Sequence, residues 1–278
     1  MKPLDILLAY IDEDSPEGDI TSDAVIPDVS CSATIKAEDN GIVAGLEEAK
    51  LLLSHFGVSV HSSKQDGDEV CRGDQILSIR GNARVILLVE RTVLNIIGRM
   101  SGVATQTRKM VVIVSAVNKK CRVAATRKTC PGFRFFDKKA VTIGGGEPHR
   151  LCLSDGFLIK DNHLVLVPLR DAVFAAKKAT LYKKIEVEIE STDAALEAAR
   201  AGADVLLLDN MNYEMAKRTI DELVRCGLRD HIVIEISGGI NEKTLGEFAS
   251  LDVDTISIGA LTHTVRNFSV NLEIMPES

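Results

Sequence analysis

Seven lysines and arginines lie between Thr126 and His163: Arg127, Lys128, Arg134, Lys138, Lys139, Arg150 and Lys160. Only four acids, Asp137, Glu147, Asp155 and Asp161, share that stretch, although the 278-residue chain has a formal net charge of -7. Converging arginines and lysines repel one another in an empty site, and an arginine fork binds a carboxylate through two parallel hydrogen bonds. A small ligand with several negative charges resolves that repulsion. Nucleic acid would call for a broad basic surface interleaved with aromatics, and a chain with pI near 5.5, no Trp and three Tyr offers none. Within the stretch, Arg134, Lys138 and Lys139 read as one solvated face of a helix. Gly144 to Gly146 lack the Lys-Ser/Thr ending of a phosphate-binding P-loop and read as a turn before a short helix.

Acids form a second group. Strict alternation in "IEVEIE" puts Glu186, Glu188 and Glu190 on one face and Ile185, Val187 and Ile189 on the other. A parallel strand covered on both sides is apolar on both. A carboxylate row therefore needs a lysine, a metal or a ligand hydroxyl as partner, or else the strand is an edge with one face in water. Asp209 ends the apolar run "VLLLD" one βα unit later, and two acids so placed could hold Mg²⁺ or accept hydrogen bonds from ribose hydroxyls. "EISGGI" and, about twenty residues later, "ISIGALTH" look like a phosphate cradle. There Gly238, Gly239 and Gly259 permit close backbone approach and a short helix N-terminus adds N–H groups. Tight turns with no ligand are the plain alternative. Cys31, Cys71, Cys121, Cys130, Cys152 and Cys226 show neither a CxxC pair nor zinc spacing, so reduced and mostly buried thiols are expected.

To converge, these residues must sit at the ends of neighbouring elements. Beyond Lys120, short β-branched segments ("CRVAAT", "GFLIK", "KKIEVEIE", "DVLLLDN", "HIVIEIS", "DTISIG") alternate with amphipathic stretches such as "TDAALEAARAG" and "NYEMAKRTIDELVRCG". That is the sequence form of βα units around a parallel sheet. Ligands bind at the carboxyl ends of such strands. Here those ends carry Arg127 and Lys128, Lys160 to His163, Glu186 and Glu188, Asp209 and Asn210, Ser237 to Gly239, and Gly259 with Thr262 and His263. Six strands suit either an incomplete α/β barrel or an open doubly wound sheet, and no G-x-G-x-x-G follows the first strand to mark a dinucleotide fold. The chain before Lys120 reads as mixed α/β, opening with a helix from Leu4 to Ile11. It closes with a helical run from Asn82, broken at Ser101-Gly102 and resumed to Asn118. No apolar run approaches the roughly 18 to 20 residues that span a bilayer. The N-terminus turns acidic too early for a signal peptide, so a cytoplasmic protein is expected.

Taken in order, "EGDITSDAVIP", "ERTVLNIIGRMSGVAT", "TRKTCPGFR", "GGGEPHRLCLSDGFLIKDNH", "EVEIES", "LLLDNM", "EISGGI" and "ISIGALTH" resemble the quinolinate phosphoribosyltransferase family over nearly the whole chain. The resemblance implies an N-terminal α/β sandwich domain with bridging helices (1–117) and an incomplete α/β barrel of six or seven parallel strands (118–266). A C-terminal segment (267–278) would return to the first domain. It implies a pentosyltransferase that moves the phosphoribosyl group of phosphoribosyl pyrophosphate (PRPP) to quinolinate with loss of CO₂, in NAD biosynthesis. The protein would be a homodimer with shared active sites, or a hexamer built from such dimers, with no nucleic-acid or membrane partner.

Carried over residue by residue, the pattern makes Arg127, His149, Arg150 and Lys160 the pocket for the two carboxylates of quinolinate, joined by Arg91 of a neighbouring subunit. Lys128 falls between that pocket and the pyrophosphate of PRPP. Glu188 and Asp209 match the acids that hold Mg²⁺ and the ribose, and with Lys128 form the catalytic set. Ser237, Gly238, Gly239, Gly259 and His263 match the 5′-phosphate site. Two positions depart from the pattern: Pro148 stands where Asn usually precedes the His-Arg pair, and Ala125 where an acid is common. A class I aldolase-like lyase using Lys160 as a Schiff-base amine, and a non-catalytic PRPP binder, are the rival readings.

Overall fold

A computed structural model describes residues 2–276. In chain order its elements are α1 (Pro3–Asp14), α2 (Ile20–Val25), β1 (Ser30–Ala37), β2 (Gly41–Ile42), α3 (Leu46–His55), β3 (Ser59–Ser62), β4 (Glu69–Val70), β5 (Gln75–Asn82), α4 (Ala83–Val117), β6 (Arg122–Ala124) and α5 (Arg134–Ile143). They continue with β7 (Phe157–Ile159), α6 (Asp161–Leu164), α7 (Leu169–Ala179), β8 (Ile185–Ile189), α8 (Thr192–Ala201), β9 (Val205–Asp209), α9 (Tyr213–Arg225), β10 (Val233–Ser237), α10 (Glu242–Ala249), β11 (Thr255–Ser257), α11 (Ala260–His263) and β12 (Val270–Pro276). The chain divides into two units. The first comprises the described residues up to Arg108 with 130–145 and the tail from Thr264; the second comprises 109–129 and 146–263.

The first unit holds a four-stranded antiparallel sheet in the order β12-β1-β5-β3. Alternation along β1 turns Cys31, Ala33, Ile35 and Ala37 inward, all buried. From Ile86 to Ala104, α4 buries Ile86, Val89, Val93, Ile97, Met100 and Ala104, the three- and four-residue steps of one helical face. The break anticipated at Ser101-Gly102 does not occur, because both residues serve contacts of a continuous helix. Ser101 Oγ accepts from Ala44 N at 2.9 Å and donates to Ala44 O at 3.1 Å. A Cβ on Gly102 would lie 2.2 Å from Arg266 O, and one on Gly98 would lie 2.9 Å from Phe268 O, so the tail segment crosses the helix at backbone distance.

The expected solvated face of α5 is also corrected. Lys138 is 3% exposed, and Lys139 reaches Glu47 at 2.6 Å and Glu48 at 2.7 Å. On the same helix the fully buried Asp137 accepts a two-pronged contact from Arg99, Nε at 2.8 Å and a terminal nitrogen at 2.9 Å. These charges sit inside the fold because each has a partner.

The second unit carries six parallel strands in the order β6-β11-β10-β9-β8-β7. Successive strands are neighbours and β11 returns to pair with the first, β6. A doubly wound sheet would reverse direction at a switch point, so this is an α/β barrel, incomplete because among the described residues no ladder joins β6 to β7. Beside that gap Glu147 bridges Ala124 in the parallel sense, with Glu147 N donating to Val123 O at 2.8 Å and Ala125 N to Glu147 O at 2.9 Å. Gly144 and Gly145 form a turn, but no short helix follows them; the chain runs along β6 instead.

Strand alternation then divides the barrel chemically. Ile185, Val187, Ile189, Leu206, Leu208, Ile234 and Ile236 join the buried cluster that also takes in Ala195, Ala216, Ile220 and Leu245 of the surrounding helices. The opposite face carries Glu186, Glu188, Leu207, Asp209, Glu235 and Ser237. Of the six cysteines only Cys31 and Cys121 are buried, contrary to the expectation for the set. Burial, with help from Asp254, pushes the Cys121 thiol up to about 12.

Candidate active site

β8 lies between β7 and β9, which removes the edge-strand reading of its acids. Glu186 is buried and Glu188 nearly so, whereas Glu190 falls beyond the strand and is exposed. Glu188 stands one step from the strand end, in register with Leu207, and Lys160 just past β7 reaches its Oε2 at 2.5 Å. That contact supplies the partner which an acid on a covered strand requires.

His149 and Arg150 follow directly on the Glu147 bridge, so the missing strand of the barrel is where the His-Arg pair enters. His149 has φ of +55°, and its Nε2 lies 3.2 Å from Glu235 Oε2 and 3.7 Å from Glu186 Oε2. These three groups are the one described set of three whose ligand atoms lie within 4.8 Å of one another, and it does not include Glu188 or Asp209. Burial and the neighbouring Glu235 raise Glu186 to about 7, against the pull of His149, Arg150 and Lys160. One of its oxygens, Oε1, is buried with no hydrogen-bond partner.

The cations are crowded as well. Burial and then the Arg127 guanidinium push Arg150 below its ordinary value, and Arg127 Nε is buried without a partner. Arg127, His149, Arg150 and Lys160 all belong to the barrel unit, and the chain of charge contacts through Glu186 links the last three. Arg91 lies on α4 in the first unit and is exposed.

At the far strands, Asp209 ends β9 in register with Ser237, the last residue of β10. Asn210 adopts φ of +53°, donates its side-chain amide to Asp209 Oδ2 at 2.6 Å and its backbone N–H to Ser237 O at 3.0 Å. Gly238 has φ of +94°, and a Cβ there would meet Asn210 Oδ1 at 2.3 Å and Asn210 N at 2.7 Å. A Cβ on Gly259 would lie 3.1 Å from the His263 ring and 3.2 Å from Lys128 Cδ, so these three residues meet at one spot. Thr262 Oγ1 donates to Lys128 O at 2.8 Å and ties the loop after β6 to the one after β11.

Two contributions escaped the sequence reading. Glu235 lies in "IEIS", where the same alternation that exposed Glu186 and Glu188 would have paired it with Ser237. The bond from Asn210 to Asp209 left no sequence signal beyond adjacency. For a metal, the donor chemistry of Glu188 and Asp209 suits Mg²⁺, which is commonly held by one or two carboxylates together with substrate phosphates. Lys160 now occupies Glu188, and Asn210 occupies one oxygen of Asp209.

An incomplete barrel that gathers cations and carboxylates at the carboxyl ends of its strands defines an enzyme for small anionic substrates. Comparison with known proteins specifies which. The chain belongs to the quinolinate phosphoribosyl transferase family: the model of the family's N-terminal domain matches residues 19–101, and that of its C-terminal domain matches 103–273. A relative in Methanothermobacter thermautotrophicus, named "Probable nicotinate-nucleotide pyrophosphorylase [carboxylating]", is 44% identical over 98% of this chain and 98% of its own. One of the same name in Archaeoglobus fulgidus is 42% identical over 94% of this chain and 99% of its own. The crystal structure of NadC from Streptococcus pyogenes, 32% identical, covers 100% of both chains with a TM-score of 0.91.

Proposed function

We propose that the protein transfers the phosphoribosyl group of PRPP to quinolinate and releases pyrophosphate and CO₂, forming nicotinate mononucleotide for NAD biosynthesis. The observation that carries this reading is the crowded cation cluster, with Arg127 Nε buried and unpartnered beside Arg150. An unpaired buried donor is costly, and a dicarboxylate with two close negative groups supplies what it lacks. Arg127, His149, Arg150 and Lys160 bind the carboxylates of quinolinate. Ser237, Gly238, Gly239, Gly259 and His263 receive the 5′-phosphate of PRPP, and Lys128 lies between the two ligands.

The ring nitrogen of quinolinate attacks C1 of the ribose as pyrophosphate departs. Glu188 and Asp209 favour the positive charge that develops on the sugar, and Lys128 balances the negative charge of the leaving group, an electrostatic task for fixed groups. Asn210 keeps the Asp209 carboxylate aimed. Glu188 and Asp209, with the substrate's phosphates, would hold Mg²⁺, which would supply further neutralisation of the pyrophosphate. Once the ring nitrogen is quaternary, the adjacent carboxylate leaves as CO₂, and the carbanion beside N⁺ takes up a proton.

The working form is a homodimer in which Arg91 completes the neighbour's pocket. Leu153, Val165, Leu166, Leu181 and Tyr182 of the barrel unit are each 70% or more exposed and are candidates for burial against a second copy. Six free cysteines fit a reducing cytoplasm. No helix among the described residues is long and apolar enough to cross a membrane. Lys160 is 43% exposed and ion-paired, the opposite of the dry, neutral amine that a Schiff-base mechanism needs.

The test is direct: purified protein, quinolinate, PRPP and Mg²⁺ are mixed, and nicotinate mononucleotide and CO₂ are followed. Turnover of nicotinate without turnover of quinolinate refutes the reading.

A further inference from the structure

Glu235 has no part in the function described so far, yet it is among the least expected residues in the barrel. It sits in the middle of a central strand, 5% exposed, in register with Leu207 on one side and Thr255 on the other. A carboxylate there needs a charged or hydrogen-bonding partner. The contact the structure supplies is His149 Nε2 at 3.2 Å, with the second buried acid, Glu186, 3.7 Å from the same nitrogen. His149 in turn holds a left-handed backbone conformation, φ of +55°, which costs a non-glycine residue energy unless its surroundings fix it.

We infer that Glu235 is a positioning residue: its carboxylate accepts the Nε2–H of His149 and so holds the imidazole in the orientation in which it meets the incoming acceptor. The inference rests on the proposed function only in naming that acceptor. The hydrogen bond made by one imidazole nitrogen sets the protonation of the other. The buried Glu235 carboxylate, 3.2 Å from Nε2, favours the tautomer that carries its proton on that nitrogen. Glu186 reinforces the same arrangement from β8. Histidine ligands of metals are oriented in this way by carboxylates behind them. Here the object held is an anion, and the acids also offset the repulsion among His149, Arg150 and Lys160 before the ligand arrives.

The experiment compares Glu235→Gln, which keeps size and a hydrogen-bond acceptor, with Glu235→Leu, which keeps neither charge nor acceptor. Ring-nitrogen NMR of ¹⁵N-histidine-labelled protein, with His149→Gln to assign the signal, is expected to show Nε2 protonated in the wild type and the preference lost in Glu235→Leu. Glu235→Leu is expected to raise the KM for quinolinate about tenfold, the effect of one hydrogen bond to a charged group. The KM for PRPP should stay within about twofold, with Glu235→Gln falling between the wild type and the Leu variant. A His149 signal unmoved in both variants overturns the inference, as does an equal rise in both KM values in Glu235→Gln. If the wild-type protein does not turn over quinolinate, the functional reading fails by itself, and the His149 signal still decides whether Glu235 orients the ring.

Discussion

Replacing Glu188 with Gln is expected to tighten the binding of quinolinate to the PRPP-free protein even as it slows turnover. In the ligand-free site Lys160 Nζ is 2.5 Å from Glu188 Oε2, so a carboxylate that recruits Lys160 must draw it from Glu188. A hydrogen bond to a charged group has a net worth of about 1.5 to 3 kcal/mol. The Lys160 side chain is 43% exposed and Glu188 only 9%, so solvent screens one partner. The appropriate figure drops to about 1 to 1.4 kcal/mol, equivalent to a gain of about five- to tenfold in quinolinate affinity. Turnover should fall about a hundredfold or more, because the variant lacks the group proposed to favour positive charge on the ribose. Titration calorimetry with quinolinate alone reads the first effect, and product formation under saturating substrates reads the second. Unchanged or weaker binding in Glu188→Gln would show that Lys160 need not leave Glu188, and the proposed competition would be wrong. If the competition holds, bound quinolinate frees Glu188 for the other substrate, and linkage requires that each ligand raise the affinity of the other by the same factor.

Arg99→Leu is expected to destabilise the first unit by about 3 to 5 kcal/mol, because it strands the fully buried Asp137 carboxylate; urea denaturation should show most of that recovered in the Arg99→Leu/Asp137→Leu double variant. Glu186 titrates near 7 in the folded chain against an ordinary 4.5, so between those pH values the folded chain holds a proton that the unfolded chain has released. Raising the pH across that window therefore costs stability, by roughly 3 kcal/mol at the top and nothing below its lower end, and thermal unfolding of Glu186→Gln should lack this slope. Gly238→Ala forces a Cβ to within 2.3 Å of Asn210 Oδ1 at a φ of +94°, which should cost about 1 to 3 kcal/mol and weaken PRPP binding through Asp209, read by melting temperature and the PRPP KM. Mixing an Arg91→Ala chain with a Lys128→Ala chain should restore part of the activity each has lost; mixed dimers without recovery would refute shared sites.

The second unit was the more legible because its signals are local. Each strand from β6 to β11 announces itself as a short β-branched run, and the polar residue that ends it is the one the fold brings to the mouth. What could not be read was which strands close on each other: barrel and doubly wound sheet share the same βα alternation and differ only in whether the last strand returns to the first. The misreadings in the first unit have one cause. Gly102 looked like a helix breaker and Lys138 like a solvated lysine, since propensity and polarity describe a residue alone. The backbone of Arg266 at 2.2 Å from a would-be Cβ, and the burial of Lys138, belong to tertiary neighbours far away in sequence. The rule that picked out Glu186 and Glu188 applied equally to Glu235; two acids in five residues made a pattern, and one acid beside a serine did not.

Buried acids on neighbouring strands let several cationic groups share the barrel mouth. Four cationic groups at the barrel mouth would push one another apart if only solvent stood between them. Instead, Lys160 has Glu188, and His149 has Glu235 and Glu186, each acid buried or nearly so and each on a strand paired on both sides. The acids differ in what they face: Glu186 and Glu235 face His149, whereas Glu188 holds Lys160, a cation that the proposed acceptor would also draw on. On the proposed reading, the first kind would stay in place throughout a catalytic cycle and the second would release Lys160 once per turnover. Substitution should therefore separate them by sign, with loss of Glu235 weakening quinolinate binding and loss of Glu188 strengthening it. A shared sign in the two variants would mean that the acids act only as bulk negative charge and that the cation each one faces has no consequence.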